Sequence, residues 1–197
     1  MKYLQLGAAV SIHLCLLLSF SYGEHEIGYT ESFSPNNGYT ADWCADDDTL
    51  HFRLTARARG WVAVGFSDNQ LMADSDIVMA TGEGVIQDSW AFAHRAPPAD
   101  ASQDATLHSS SQIDRTTTVE FSRPRVTGDE RDLSLDTERF VVWAMTATSD
   151  SLASRHSSRG FSAARIDFAA AASCSVGDPL TPLDDGSLTD PVERQAY

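Results

Sequence analysis

Lysine is nearly missing from this chain of 197 residues: Lys2 is the only one, and every other basic side chain is arginine. With 14 Lys and Arg against 28 Asp and Glu the formal charge is −14. So acidic a surface repels nucleic acid and anionic membranes, and neither is expected as a partner. Long apolar runs are confined to the first twenty or so residues. That run, with Lys2 before it and Ser21-Tyr22-Gly23 after it, is too short and too interrupted for a spanning helix and reads as a signal peptide over 1–23. Cleavage would leave 174 residues, a charge of −15 and no membrane span. A secreted protein in an extracellular or lumenal setting is the expectation.

Cysteine is scarce as well. Cys15 belongs to the leader, which leaves Cys44 and Cys174, and in an oxidising compartment two such cysteines most simply bond to each other. Histidines are scattered: His25, His51, His94, His108 and His156 stand no closer than fourteen residues apart, with no His-His or His-x-His pair. Sustained helical periodicity is missing. So are a Gly-x-Ser-x-Gly elbow, a His-Glu-x-x-His helix, a Gly-rich phosphate loop and any Asn-x-Ser/Thr sequon. Hydrolytic chemistry therefore has no support.

What the sequence does contain is a series of short strands. Leu50, Phe52, Leu54 and Ala56 alternate with polar residues, as a half-buried strand requires. After an Arg59-Gly60 turn, Trp61–Phe66 is apolar on both faces, which predicts a central strand packed on another layer. A carboxylate-rich loop, Ser67–Asp76, leads into Ile77-Val78-Met79. Strands are also predicted over Tyr39–Cys44, Val85–Phe92, Thr106–Ile113, Thr116–Phe121, Phe140–Met145 and Phe161–Phe168. Arg123–Glu138 reads as a charged surface connection and Ser149–Gly160 as a polar loop. The pattern predicts an all-β fold, an immunoglobulin-like antiparallel β-sandwich of about nine or more strands over 24–174, then a disordered acidic tail over 175–197.

Arg59-Gly-Trp-Val-Ala-Val-Gly-Phe-Ser67, with Met72 and Ser75-Asp76-Ile77-Val78 behind it, resembles the signature of DOMON domains. Asp88-Ser-Trp90, Gln103-Asp104, Val119–Arg123, Val142-Trp-Ala144 and His156–Gly160 follow in the same order. The likeness runs over about 28–170 and is strongest to the DOMON module of dopamine β-monooxygenase-like copper enzymes. Those enzymes place their chemistry in later domains with paired histidines, and a tethering cysteine expected in Arg123–Asp132 is missing here. Copper is therefore not expected, and neither is catalysis by this polypeptide itself.

The resemblance implies two ligand sites. One is a hard-cation site, calcium or similar, formed by Asp76, Asp104 and main-chain carbonyls near Ile77 and Ser89; the alternative leaves both aspartates as turn and loop residues. The other is haem b held between Met72 and His156, which would make the domain an electron carrier; the alternative leaves Met72 packing over the sandwich and His156 in solvent. A third reading places a sugar or aromatic amine in a cleft lined by Trp61, Trp90, Trp143 and Met145, unless these are core. The expected function is a non-catalytic binding module for a small-molecule ligand or protein partner outside the cell. The alternatives are a haem b cytochrome domain and an accessory or truncated form of a copper monooxygenase.

Overall fold

The structure, a computed structural model, describes residues 27–36 and 38–176. The leader expected over 1–23 and the tail from 177 onward lie outside the described residues. Thirteen strands, and no helix among the described residues, form two facing antiparallel sheets and a short closing pair. One sheet has the order β2 (Glu31–Asn36), β3 (Tyr39–Asp46), β4 (Thr49–Ala56), β9 (Thr116–Pro124), β8 (Thr106–Ile113). The other runs β11 (Ser158–Phe161), β10 (Glu138–Met145), β5 (Val62–Ser67), β6 (Ser75–Ala80), β7 (Ile86–Ala91), with β12 (Ile166–Asp167) on the far end of β10. β1 (Ile27–Gly28) pairs with β13 (Ser175–Val176), so the ordered domain continues two residues into the stretch expected to be tail.

Local chemistry sets these boundaries. Asp114 and Arg115 both take positive φ (50° and 67°), the geometry of a two-residue hairpin turn matching strand twist, and they join β8 to β9. Leu50, Phe52, Leu54 and Ala56 are buried while their neighbours are half-exposed, as the alternation predicted. They meet Val62, Val64 and Phe66 from the facing sheet, and Phe52 stacks on Phe121 at 5.2 Å. Cys44 and Cys174 are bonded, with Cα atoms 4.8 Å apart across 130 residues of sequence. Main-chain bonds from Ala45 to Ala172 and from Cys174 back to Ala45 lay the C-terminal stretch along β3.

Two expectations need correction. The closing strand predicted over Phe161–Phe168 is two strands, because the Ser162 hydroxyl accepts the Val141 N–H at 2.9 Å and donates to Ala164 O, which turns the chain away from the ladder. The connection read as lying on the surface from Arg123 to Glu138 is anchored inward: Arg123 is still in β9 and buried, and Leu135 is fully buried. Trp61–Phe66 was expected to form a central strand packed on another layer, and it does so as β5 (Val62–Ser67). Its inner face packs on the other sheet, and its outer face is covered only by loops.

Candidate functional site

β6 serves two places at once, because successive side chains of a strand point to opposite faces. Asp76, Val78 and Ala80 face the inter-sheet core, whereas Ile77 and Met79 face outward with Trp61, Ala63 and Ala91. Trp61, Ala63, Ile77 and Met79 form the floor of a cavity of about 670 Å³. Its walls are the loop carrying Gln70, Leu71 and Met72, the loop carrying His94 and Arg95, the loop Leu152–His156, and β11. Arg159 donates to His156 Nε2 at 3.0 Å, so the imidazole proton sits on Nδ1. Burial, and then the Arg159 charge, push His156 below its ordinary pKa and keep it neutral at physiological pH. The Trp61 indole N–H is buried and has no acceptor.

On the inner side, one end of the sandwich holds a buried charge cluster. The inward positions of β9 run Thr117, Val119, Phe121 and then Arg123, so the alternation that builds the core delivers a guanidinium at its end. Arg123 Nη1 donates to Asp76 Oδ2 at 2.7 Å, Nη2 lies 3.5 Å from Asp132 Oδ2, and the guanidinium stands 5.4 Å over the Phe66 ring. Leu133 N–H also donates to Asp76 Oδ2, at 3.0 Å. Asp88 accepts Ser89 N–H at 2.9 Å and Asp104 N–H at 3.4 Å. Gln103 straps the 99–104 loop to β7 by bonding both the N–H and the C=O of Asp88 at 2.9 Å.

One oxygen each from Asp76, Asp88 and Asp132 lies within 4.8 Å of the others. Three carboxylates against one guanidinium leave two formal negative charges in a dry site. Burial, opposed by Arg123, raises Asp76 to about 6. Burial and the Asp76 and Asp132 charges raise Asp88 to about 7. Asp132 is raised too, chiefly by burial. One oxygen each of Asp76, Asp104 and Asp132 has no hydrogen-bond partner among the described residues, so the donor set fits a hard divalent cation, whose charge would match the excess.

The structure brings Asp76 next to Asp88, beside which Asp104 hydrogen-bonds; Ile77 and Ser89 face one another across the β6–β7 ladder. Asp88, Asp132 and Arg123 were missed by the sequence reading. Asp88 and Arg123 could have been found as charges at inward strand positions, whereas Asp132 in its loop carries no such signal. Met72 and His156 line the same cavity. Of the four residues assigned to an inter-sheet cleft, Trp61 and Trp143 line this outer cavity, but Trp143 also packs on Tyr39 at 5.1 Å within the core. Trp90 and Met145 do not line it, so the four residues do not form one cleft. His51 and His108, far apart in sequence, stack with ring centroids 6.0 Å apart on the other sheet.

The family model described as DOMON domain matches residues 35–146, more than half of the chain. The chain belongs to the DOMON domain family. It is 38% identical over 114 residues to DBH-like monooxygenase protein 1 of Mus musculus, covering 56% of this chain and 19% of that protein. The Homo sapiens protein of the same name is 36% identical over 110 residues, covering 54% and 18%. Dopamine beta-hydroxylase of Rattus norvegicus is 27% identical over 140 residues, covering 66% and 23%. This DOMON chain thus spans about a fifth of the length of the curated relatives it matches. Among solved structures, the cytochrome domain of Myriococcum thermophilum cellobiose dehydrogenase gives a TM-score of 0.49 at 14% identity, covering 72% of this chain and 84% of that one. No helix among the described residues is long and apolar enough to cross a membrane.

Proposed function

We propose that this DOMON domain is a non-catalytic ligand-binding module acting outside the cell, and that its ligand occupies the cavity over the outer face of β5, β6 and β10. One observation carries the reading: that face keeps Trp61, Ala63, Ile77 and Met79 buried under loops that leave about 670 Å³ open. A cavity of this size with apolar walls and a few polar groups is the usual form of a small-molecule site. The monooxygenase activity in the relatives' names belongs to proteins of which the matched segment covers only about a fifth, and none is assigned to this polypeptide. Fluorescence titration with the neutral probe N-phenyl-1-naphthylamine tests the site. Saturable binding that disappears in Ala63→Phe, with the fold retained by circular dichroism, is the expected result; no binding to the parent protein overturns it.

A second reading has its own observation. Met72 and His156 line one cavity, and a thioether with an imidazole is a haem b ligand pair. Haem would supply one-electron chemistry there, and Met72 and His156 would hold it once Arg159 gave up its bond to His156 Nε2. Protein titrated with hemin would develop a low-spin Soret band that is lost in Met72→Ala. A spectrum of free hemin throughout would end this reading. The buried Asp76–Asp88–Asp132 cluster is assigned a separate, structural role as a site for calcium or a similar cation, tested in the Discussion.

A further inference from the structure

Three of the thirteen arginines of this acidic chain, Arg95, Arg155 and Arg159, stand on the cavity wall, together with His94 and His156. Among the described residues no Asp or Glu lines the same cavity, although carboxylates outnumber basic side chains two to one in the sequence. Among the described residues none of these three guanidiniums lies within ion-pair distance of a carboxylate, which also holds for Arg57, Arg59, Arg115 and Arg125, whereas Arg53, Arg123, Arg131, Arg139 and Arg165 each do. Arg95, Arg155 and Arg159 are solvent-exposed, so the cations ring the opening, while the floor is apolar.

We propose that the cavity selects an apolar-bodied carboxylate, its body against the Trp61, Ile77 and Met79 floor and its anion held by Arg155 and Arg159. This deepens the binding reading above and rests on it. The arginines present planar donors that pair with a carboxylate in two parallel bonds, and Lys, which would offer only a point charge, is not used. Arg159 already donates to His156, which orients its guanidinium toward the loop that carries Arg155. The net negative charge of the chain disfavours the same anion in general, whereas the lining of this opening carries cations and, among the described residues, no carboxylate.

Isothermal titration calorimetry of the full chain with 1-naphthylacetate and its neutral isostere 1-naphthylacetamide separates shape from charge. The carboxylate should bind about tenfold more tightly than the amide, and more weakly as salt is raised. Arg155→Ala with Arg159→Ala should reduce that ratio to about one, while N-phenyl-1-naphthylamine still binds saturably, which shows the cavity intact. Equal affinity for acid and amide in the parent protein overturns the anion assignment and leaves the cavity reading standing. Absence of binding by both naphthyl compounds together with the neutral amine probe overturns both.

Discussion

Removing divalent cations should make this domain less stable at pH 7.5 than at pH 5, because its buried carboxylates are forced to ionise in a dry site. Asp76 and Asp88 are raised from 3.8 to about 6 and about 7. A carboxyl whose folded pKa lies above its unfolded value binds more protons when folded. Its stabilising contribution is complete below about pH 4 and is lost as pH climbs through the folded pKa, here between about 4 and 7. At about 1.4 kcal/mol per unit, and without adding two coupled groups in full, the loss is on the order of 3–5 kcal/mol. For a domain of this size that corresponds to roughly 10 °C in Tm. His51 and His156 are both lowered by burial, so they favour the folded state as pH rises toward 6.5 and partly offset the loss. Both are partly exposed, which keeps their share small.

Differential scanning calorimetry in EDTA at pH 5, 6, 7 and 7.5 reads this slope. General charge repulsion in a chain of formal charge −14 also relaxes in acid, so the parent protein cannot identify the cause by itself. Asp88→Asn does. It keeps an acceptor for Ser89 N–H while removing one ionisable group, so at pH 7.5 in EDTA it should melt above the parent and the slope should flatten. Millimolar calcium should raise the parent's Tm at pH 7.5, by about 2.7 kcal/mol of stabilisation at a hundredfold excess over Kd, and do little at pH 5 where protons compete. The variant should respond less. A parent Tm that is flat or rising from pH 5 to 7.5, with Asp88→Asn indistinguishable from it, refutes the reasoning.

Arg123→Met should cost about 3–5 kcal/mol in urea denaturation, since it leaves the Asp76 and Asp132 carboxylates buried without their cation, and the loss should be smaller at pH 5 than at pH 7.5. Cys44→Ala with Cys174→Ala should lower stability by up to about 5 kcal/mol on the chain-entropy account, for a bond closing 130 residues of sequence, measured against the oxidised parent. Phe52→Ala should lose about 3–5 kcal/mol, because its ring meets Phe66, Phe121 and Phe168 in a fully buried site. Asp68→Ala should change stability by no more than about 1 kcal/mol, although Asp68 pairs with Arg139 and Arg165, because it is 56% exposed.

Much of the fold was legible because period-2 alternation is a direct record of which face meets the core. β4 was readable to within a residue, and β3, β5, β9 and β10 nearly so. Alternation stops being informative where a polar residue occupies an inward position. Arg123 continues the run Thr117, Val119, Phe121, yet as an arginine before Pro124 it read as the start of a surface connection. Ser162 likewise ended a ladder by side-chain bonding that no apolar pattern reports. The family likeness located Asp76, Met72 and His156, but their neighbours depend on tertiary approach. Asp132 reaches the cluster from a loop 56 positions after Asp76, and only the closed sandwich shows it.

The two sheets offer an internal control for the binding reading. On β4 the outward positions are His51, Arg53 and Thr55, half-exposed and polar, which is how this chain finishes a sheet face that meets water. On β5 and β6 every position is buried, and outward Ala63, Ile77 and Met79 are apolar. An outer face that served only to close the sandwich would follow the β4 pattern, since apolar side chains there gain nothing from the inter-sheet core. If the covering loops existed only to shield those side chains, they would pack down on them at the density of an interior. They instead stand off by the volume of a small molecule and set arginines around the opening. The apolar floor, the unfilled space and the cationic rim are three departures from the plain sheet surface of the same molecule, and a bound amphipathic anion accounts for all three.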